Sequence, residues 1–113
     1  MVRSKSELVI ANYLFSHDLK DYQYERPLEG EASPGKLRPD FSFIDDAGDI
    51  VVWEHLGMMD REDYRRGWEW KREWYERNGF IEGVNLFATD EVGGLDTSKI
   101  AAVADAIREA LEI

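Results

Sequence analysis

Two carboxylates stand inside apolar segments that a short polar turn separates. Asp40 lies in the segment RPDFSFI, and Glu54 lies in the segment IVVWEHL. An antiparallel hairpin centred near Ala47 pairs residues whose numbers sum to about 94. This register predicts that Asp40 and Glu54 lie opposite each other on one face of a sheet, with Cβ atoms about 5 Å apart. A register shifted by one residue would make them diagonal neighbours that could still share a ligand.

Two like charges this close either share a proton or hold a cation. Mg²⁺ takes carboxylate oxygens and keeps several of its waters, so it is the simplest cation that the pair could hold. The alternative is that both acids stand at solvent-exposed strand ends and have no chemical role. We expect the opposite face of the hairpin to belong to the core, through Phe41, Phe43, Val51 and Trp53.

The segment 61–78 predicts a helix, with Gly79 as the residue that follows its C-terminus. On a helical wheel one broad side is aromatic, through Tyr64, Trp68, Trp70, Trp74 and Tyr75. Lys71 falls inside this aromatic arc, which is unusual for a lysine. Its ammonium either points at the acidic pair, where it would stabilise negative charge or orient a water, or extends past the tryptophans into solvent.

A helix is also predicted over residues 4–18. Ser4 and Glu7 match the S-x-x-E pattern of a capping box, in which each residue bonds the backbone N–H of the other. Glu7 also borders the apolar side of this helix. It either completes the cap or points its carboxylate towards the acidic pair as a third acid.

The complete order of predicted elements is αβββαβα. Strands are expected at 21–28, 38–44, 50–55 and 84–90, and a last helix follows Asp96 or Thr97 as cap. No repeat or internal linker interrupts residues 1–113, which predicts a single domain with layered helices and sheet.

Composition limits the function classes. The 113 residues carry a formal net charge of −10, contain no cysteine, and include His17 and His55 as the two histidines. The charge argues against a passive nucleic-acid binder, and the ligand supply argues against zinc. No apolar run reaches the length of a membrane span, and no secretory signal begins the chain. We therefore expect a cytoplasmic protein without a membrane partner.

The motifs RPDF and VVWEHLGM, together with the element order, resemble the PD-(D/E)XK nuclease superfamily. That superfamily has the restriction endonuclease-like fold, an αβββαβ core with a mixed central sheet flanked by helices. Its motif is Pro-Asp, a spacer, and then an acid, any residue and a lysine. Pro39-Asp40 and Glu54-His55 match, whereas Leu56 stands where the lysine belongs. In some branches the lysine moves to the following helix, and Lys71 looks like such a case.

The likeness extends over nearly the whole chain to a nuclease-like domain attached to superfamily 1 DNA helicases. It implies metal-dependent hydrolysis of DNA phosphodiesters, with a helicase domain in the same or another chain as partner. Asp40, Glu54 and the carbonyl of His55 would hold Mg²⁺ or Mn²⁺. Lys71 would position the attacking water or stabilise the transition state, and Glu7 would be the additional acid. Two alternatives are an inactive nuclease-fold scaffold that binds DNA or protein, and an unrelated acid-rich metal-binding fold.

Overall fold

The computed structural model describes residues 4–19, 21–30 and 35–112. Within them the chain forms three helices and six strands, a mixed α/β architecture as predicted. The elements are α1 Lys5–Ser16, β1 Gln23–Tyr24, β2 Leu28–Glu29, β3 Lys36–Leu37, β4 Phe41–Ile44, β5 Ile50–Leu56, α2 Glu62–Arg77, β6 Leu86–Asp90 and α3 Thr97–Leu111. None of the described helices combines the length and apolar character that crossing a membrane requires.

The central sheet is mixed and has the strand order β1-β4-β5-β6. β4 is antiparallel to both β1 and β5, whereas β6 runs parallel to β5. Parallel neighbours need a crossover connection, and α2 supplies it. The short strands β2 and β3 pair with each other as a separate two-stranded ribbon.

The β4–β5 hairpin has the predicted register. Phe41 pairs with Trp53, and Phe43 pairs with Val51, so partner numbers sum to 94. The turn is held by the Asp45 carboxylate, whose Oδ1 accepts the N–H groups of Ala47 and Asp49 at 2.9 and 2.8 Å. A register fixed in this way determines which face of the sheet each side chain occupies.

Helices cover both faces of the sheet and define two cores. On one face α1 and α3 pack on the aromatic side of the hairpin; the buried residues there include Ile10, Leu14, Phe41, Phe43, Val51, Trp53, Ile100 and Ile107. On the other face α2 packs on alternate residues of β5 and on β6; this core includes Leu37, Val52, Leu56, Trp68, Trp74, Tyr75 and Leu86. Glu54 lies between Val52 and Leu56 in β5 and therefore faces α2.

Three predicted strands are too long. The strand expected at 21–28 is divided into β1 and β2, because Glu25 adopts a left-handed conformation with φ of 52° and Pro27 has no N–H to donate. β4 begins at Phe41 rather than residue 38, just after Pro39, which also lacks a donor. β6 begins at Leu86 rather than residue 84.

The helix ends agree better with the predictions. The Ser4 hydroxyl accepts the Glu7 N–H at 3.1 Å, and the Asp96 carboxylate accepts the Ser98 N–H at 2.9 Å. Gly79 follows α2 with φ of 86°, the left-handed conformation expected after a helix C-terminus. The aromatic arc of α2 is narrower than predicted, because Trp70 is 56% exposed whereas Trp68 and Trp74 are buried.

Candidate metal-binding acid pair

Asp40 and Glu54 meet where β4 begins and β5 approaches its end. Glu54 is 3% exposed, so the interpretation of this acid as a solvent-exposed strand end is wrong. Each acid bonds the backbone of the opposite chain segment. The Asp40 N–H donates to Glu54 Oε1 at 3.3 Å, and the His55 N–H donates to Asp40 Oδ2 at 2.7 Å. These bonds hold the two carboxyl groups side by side.

This environment raises the pKa of Asp40 to about 7. Burial is the largest cause, the negative charge of Glu54 is the next, and the charge of Glu7 adds to it. The hydrogen bond from the His55 backbone acts in the opposite direction. The side chain of Glu54 lies close enough to the Asp40 carboxyl to favour its protonated form.

The backbone carbonyl of His55 is directed to the same side of β5 as Asp40. Within one strand residue the N–H and C=O point to the same side, and this side alternates along the strand. The Val52 N–H bonds Asn85 in the direction of β6, and the His55 N–H bonds Asp40 in the opposite direction. The His55 carbonyl therefore points to the side of β5 on which Asp40 lies. Pro39, opposite it in the continued register, has no N–H to offer that carbonyl.

The sequence prediction missed Tyr75, which contacts the pair from α2. Its hydroxyl donates to Glu54 Oε2 at 2.8 Å, and the whole residue is buried. Burial first, and the charge of Glu54 second, raise the pKa of Tyr75, so the hydroxyl keeps its proton and remains a donor. Tyr75 stands one helical turn after Lys71, and this i+4 spacing was the signal that could have identified it.

Lys71 has no direct bond to the pair. Among the described residues, neither Asp40 nor Glu54 forms an ion pair, and Lys71 forms none with them. Lys71 is partly buried and lines a pocket together with Leu56 and Trp68. The side chain that contacts Glu54 Oε2 is Tyr75 rather than Lys71. The catalytic role of Lys71 stays a prediction.

Glu7 reaches the neighbourhood from α1. The cap at Ser4 forms as expected on one side, through the N–H of Glu7. The side chain of Glu7 is partly buried and accepts the hydroxyl of Tyr24 at 2.5 Å. Its charge contributes to the raised pKa of Asp40, so Glu7 belongs electrostatically to the acidic site.

The imidazole of His55 points away from the acids, to the α1 and α3 side of the sheet. Its Nδ1 lies 2.8 Å from Thr89 Oγ1, which also accepts the Trp53 indole N–H at 3.0 Å. Its Nε2 lies 3.4 Å from Glu91 Oε2. Only the backbone of His55 therefore faces the acidic pair.

The donor set at the pair fits a hard divalent ion. Within the described part of the chain, no group of three or more His, Asp or Glu side chains is arranged to hold a metal. The predicted set differs from such a group, because it combines two carboxylates with one backbone carbonyl. All three are oxygen ligands, and a divalent ion between them would relieve the repulsion that raises the pKa of Asp40.

A comparison with known proteins finds an archaeal relative. The chain is 40% identical over 80 residues to the uncharacterized protein MJ1519 of Methanocaldococcus jannaschii. The aligned part covers 70% of this chain and 6% of that protein. No protein-family model matches the chain. No solved structure matches it either.

Proposed function

We propose that the chain is a metal-dependent DNA nuclease domain of the PD-(D/E)XK superfamily, with the restriction endonuclease-like core. The observation that carries the proposal is the acid pair of Asp40 and Glu54, which the hairpin register and two hydrogen bonds across the hairpin hold side by side. The mixed sheet with α1 before it and α2 as the crossover supports the same assignment.

Asp40, Glu54 and the carbonyl of His55 would hold Mg²⁺ or Mn²⁺. The bound ion supplies a water of lowered pKa and neutralises charge on the scissile phosphate. Pro39 supports this arrangement, because its missing N–H leaves the His55 carbonyl without a partner opposite it. Tyr75 and the Asp40 N–H fix both oxygens of Glu54 and so orient it towards Asp40.

Lys71 and Glu7 have supporting roles in this proposal. Lys71 would bring its ammonium to the substrate phosphate and stabilise the charge that develops there. It is free to do so, because it forms no ion pair with any other described residue. Glu7 would hold or orient water on the α1 side, with its carboxylate anchored by Tyr24.

The domain context is also proposed. The stretch similar to this chain occupies 6% of the archaeal relative, which is typical of a module inside a much larger protein. An attached DNA helicase domain, in the same or another chain, is the partner that we propose, with the cytoplasm as location. The helicase would supply most of the DNA affinity, because the chain itself carries a net charge of −10.

The test is cleavage of fluorescent single- and double-stranded DNA with Mg²⁺ or Mn²⁺, by the purified chain and by the chain fused to a helicase. We expect cleavage by the wild type and none by Asp40→Asn. A wild type that cuts neither DNA form in either setting would contradict the nuclease proposal.

The second candidate function is an inactive scaffold that keeps the nuclease fold. A specific observation favours it, namely that both acids bond the backbone across the hairpin and so have a structural use. The buried Leu56, in place of the motif lysine, also favours it. A scaffold predicts that replacing either acid lowers the melting temperature of the metal-free protein without any change in Mn²⁺ binding.

A further inference from the structure

A pocket of about 270 Å³ opens between the first half of α2 and the end of β5. Two of its walls are aromatic, Tyr64 and Trp68, and a third is Leu56. Gly67 forms part of the lining, and a Cβ atom added at this position would meet no atom within 4 Å. The pocket is therefore a mainly apolar space with two aromatic walls, and Gly67 adds no side chain to it.

The pocket adjoins the acid pair. Leu56 and Glu54 are two residues apart on the same face of β5, which places their Cα atoms about 7 Å apart. The Tyr64 hydroxyl accepts the Gly57 N–H at 3.3 Å. The charges of Asp40, Glu54 and Glu7 all contribute to the raised pKa of Tyr64, after burial as the main cause. Tyr64 thus lines the pocket and lies within electrostatic range of the acids.

The pocket also has a cation at its side. Lys71 belongs to the lining, and it has no hydrogen bond or ion pair with any residue that the structure describes. Asp63, the acid of this lining, is paired with Arg61 at 2.9 Å, which offsets its charge. An unpaired ammonium beside aromatic walls matches a ligand with a flat ring system and an anionic group.

We infer that this pocket takes an unpaired base of a DNA strand, with Lys71 contacting the adjacent phosphate. This inference rests on the proposed function, because it assigns the substrate class of the same site. Bases stack on aromatic side chains whatever their sequence. A base inside a duplex cannot enter such a pocket unless it leaves the helix, which costs unpairing and unstacking energy. The substrate is therefore single-stranded DNA rather than an intact duplex.

Gly67 permits a test that fills the pocket without removing any packed side chain. Gly67→Ala and Gly67→Leu both replace glycine in the backbone of α2, but alanine leaves most of the pocket open. Gly67→Ala is therefore the matched control for Gly67→Leu. Both variants are made in the Asp40→Asn chain, which cannot cut. The probe is a fluorescein-labelled oligothymidylate, alone or annealed to its complement, and fluorescence anisotropy measures affinity. Circular dichroism melts check that each variant is folded.

We expect Gly67→Ala to bind the single strand like its parent and Gly67→Leu to bind it about 10-fold or more weakly, the scale of one lost base stack. In the parent and in Gly67→Ala the duplex should bind more weakly than the single strand, and Gly67→Leu should lose most of this preference. Lys71→Met should reduce the slope of log affinity against log salt concentration by about 0.7, the value for one phosphate contact with a single strand.

Equal single-strand binding by Gly67→Leu and Gly67→Ala would overturn the inference, as would a parent that binds the duplex as tightly as the single strand or binds no single strand. A different outcome is that the wild type cuts no DNA while Gly67→Leu still binds the single strand more weakly than Gly67→Ala. That pair of results would support this inference and count against the nuclease proposal alone. Cleavage of single strands at wild-type rate by Gly67→Leu, in the chain with Asp40 intact, would overturn this inference and leave the nuclease proposal standing.

Discussion

The two ends of the β4–β5 hairpin both carry acids, but in opposite circumstances. At the turn, Asp45 uses its carboxylate to accept two backbone N–H groups of its own turn, and Asp46 and Asp49 are exposed. At the other end, Asp40 and Glu54 face each other across the strands, one partly buried and one fully buried.

The difference shows that position in the hairpin, rather than residue type, decides what an aspartate does here. The carboxylate at the turn meets donors close in sequence and stays in contact with water. The pair at the open end meets another carboxylate, so one of the two must take a proton or the two must hold a cation. The turn acids are therefore natural controls for the pair.

The largest expected effect separates these two ends. Asp40→Asn should weaken Mn²⁺ binding by more than about 100-fold, because loss of a direct ligand exceeds the effect of losing a supporting residue. Asp49→Asn, which removes the same charge at the turn, should leave Mn²⁺ affinity unchanged. Isothermal titration calorimetry measures both. Equal Mn²⁺ affinity in the Asp40 variant and the wild type would remove the metal site from the open end.

Lys71→Met should lower the rate of DNA cleavage by about 10²-fold, the scale of losing one preorganised electrostatic contact in a transition state. Methionine keeps the bulk and apolar stem, so Mn²⁺ affinity should persist. The control is Arg66→Met, which removes a cation of the same helix that is exposed and paired with Glu62. If both variants cut at the wild-type rate, the Lys71 ammonium serves only solubility.

Tyr75→Phe should weaken Mn²⁺ binding by about 10- to 100-fold, since it removes the donor that orients Glu54. Tyr13→Phe controls for loss of a tyrosine hydroxyl elsewhere. Ile107→Val controls for lost stability, because it trims the opposite core and should lower the melting temperature without changing Mn²⁺ affinity. A Tyr75 variant with wild-type affinity would mean that its hydroxyl contributes to packing alone.

The smallest expected effect concerns stability against pH in metal-free protein. The pKa of Asp40 is about 7 in the fold and about 4 in an unfolded chain, so between these values the folded state binds more protons. The free energy of unfolding then falls as pH rises through this window, and the loss is complete above pH 7.

Asp40→Asn should therefore be more stable than the wild type at pH 8, by about 1 kcal/mol or more, and the difference should shrink towards pH 4. Asp49→Asn should show no such trend. Urea unfolding at several pH values measures this. A deficit of Asp40→Asn that is the same at every pH would indicate that the Asp40 carboxylate stabilises the fold, in agreement with the scaffold alternative.

The sequence predicted the class of the fold and the hairpin register, because strand alternation and a five-residue turn leave few choices. That Asp40 and Glu54 lie opposite each other follows from this register alone. The caps at Ser4 and Asp96 and the glycine after α2 are likewise local features. The division of the first predicted strand was not predictable, since it depends on the backbone of Glu25 and on the pairing of residues 28–29 with 36–37.

The predicted site was incomplete where it depended on how α2 is rotated against the sheet. A helical wheel gave the aromatic side but could not tell that Tyr75, rather than Lys71, reaches Glu54. It also placed Trp70 with the buried tryptophans, although more than half of this residue is exposed. These details are set by the packing of α2 on Val52 and Leu56, which no local pattern encodes.

The parallel pairing of β5 with β6 has a consequence for the order in which the domain folds. The hairpin joins residues close in sequence, whereas Glu54 pairs with Ala88 only after the whole of α2 has crossed the sheet. Contacts between distant residues cost more loop entropy and tend to form later. We therefore expect the two acids to be brought together early, and to lie exposed to water until α2 docks and closes over them.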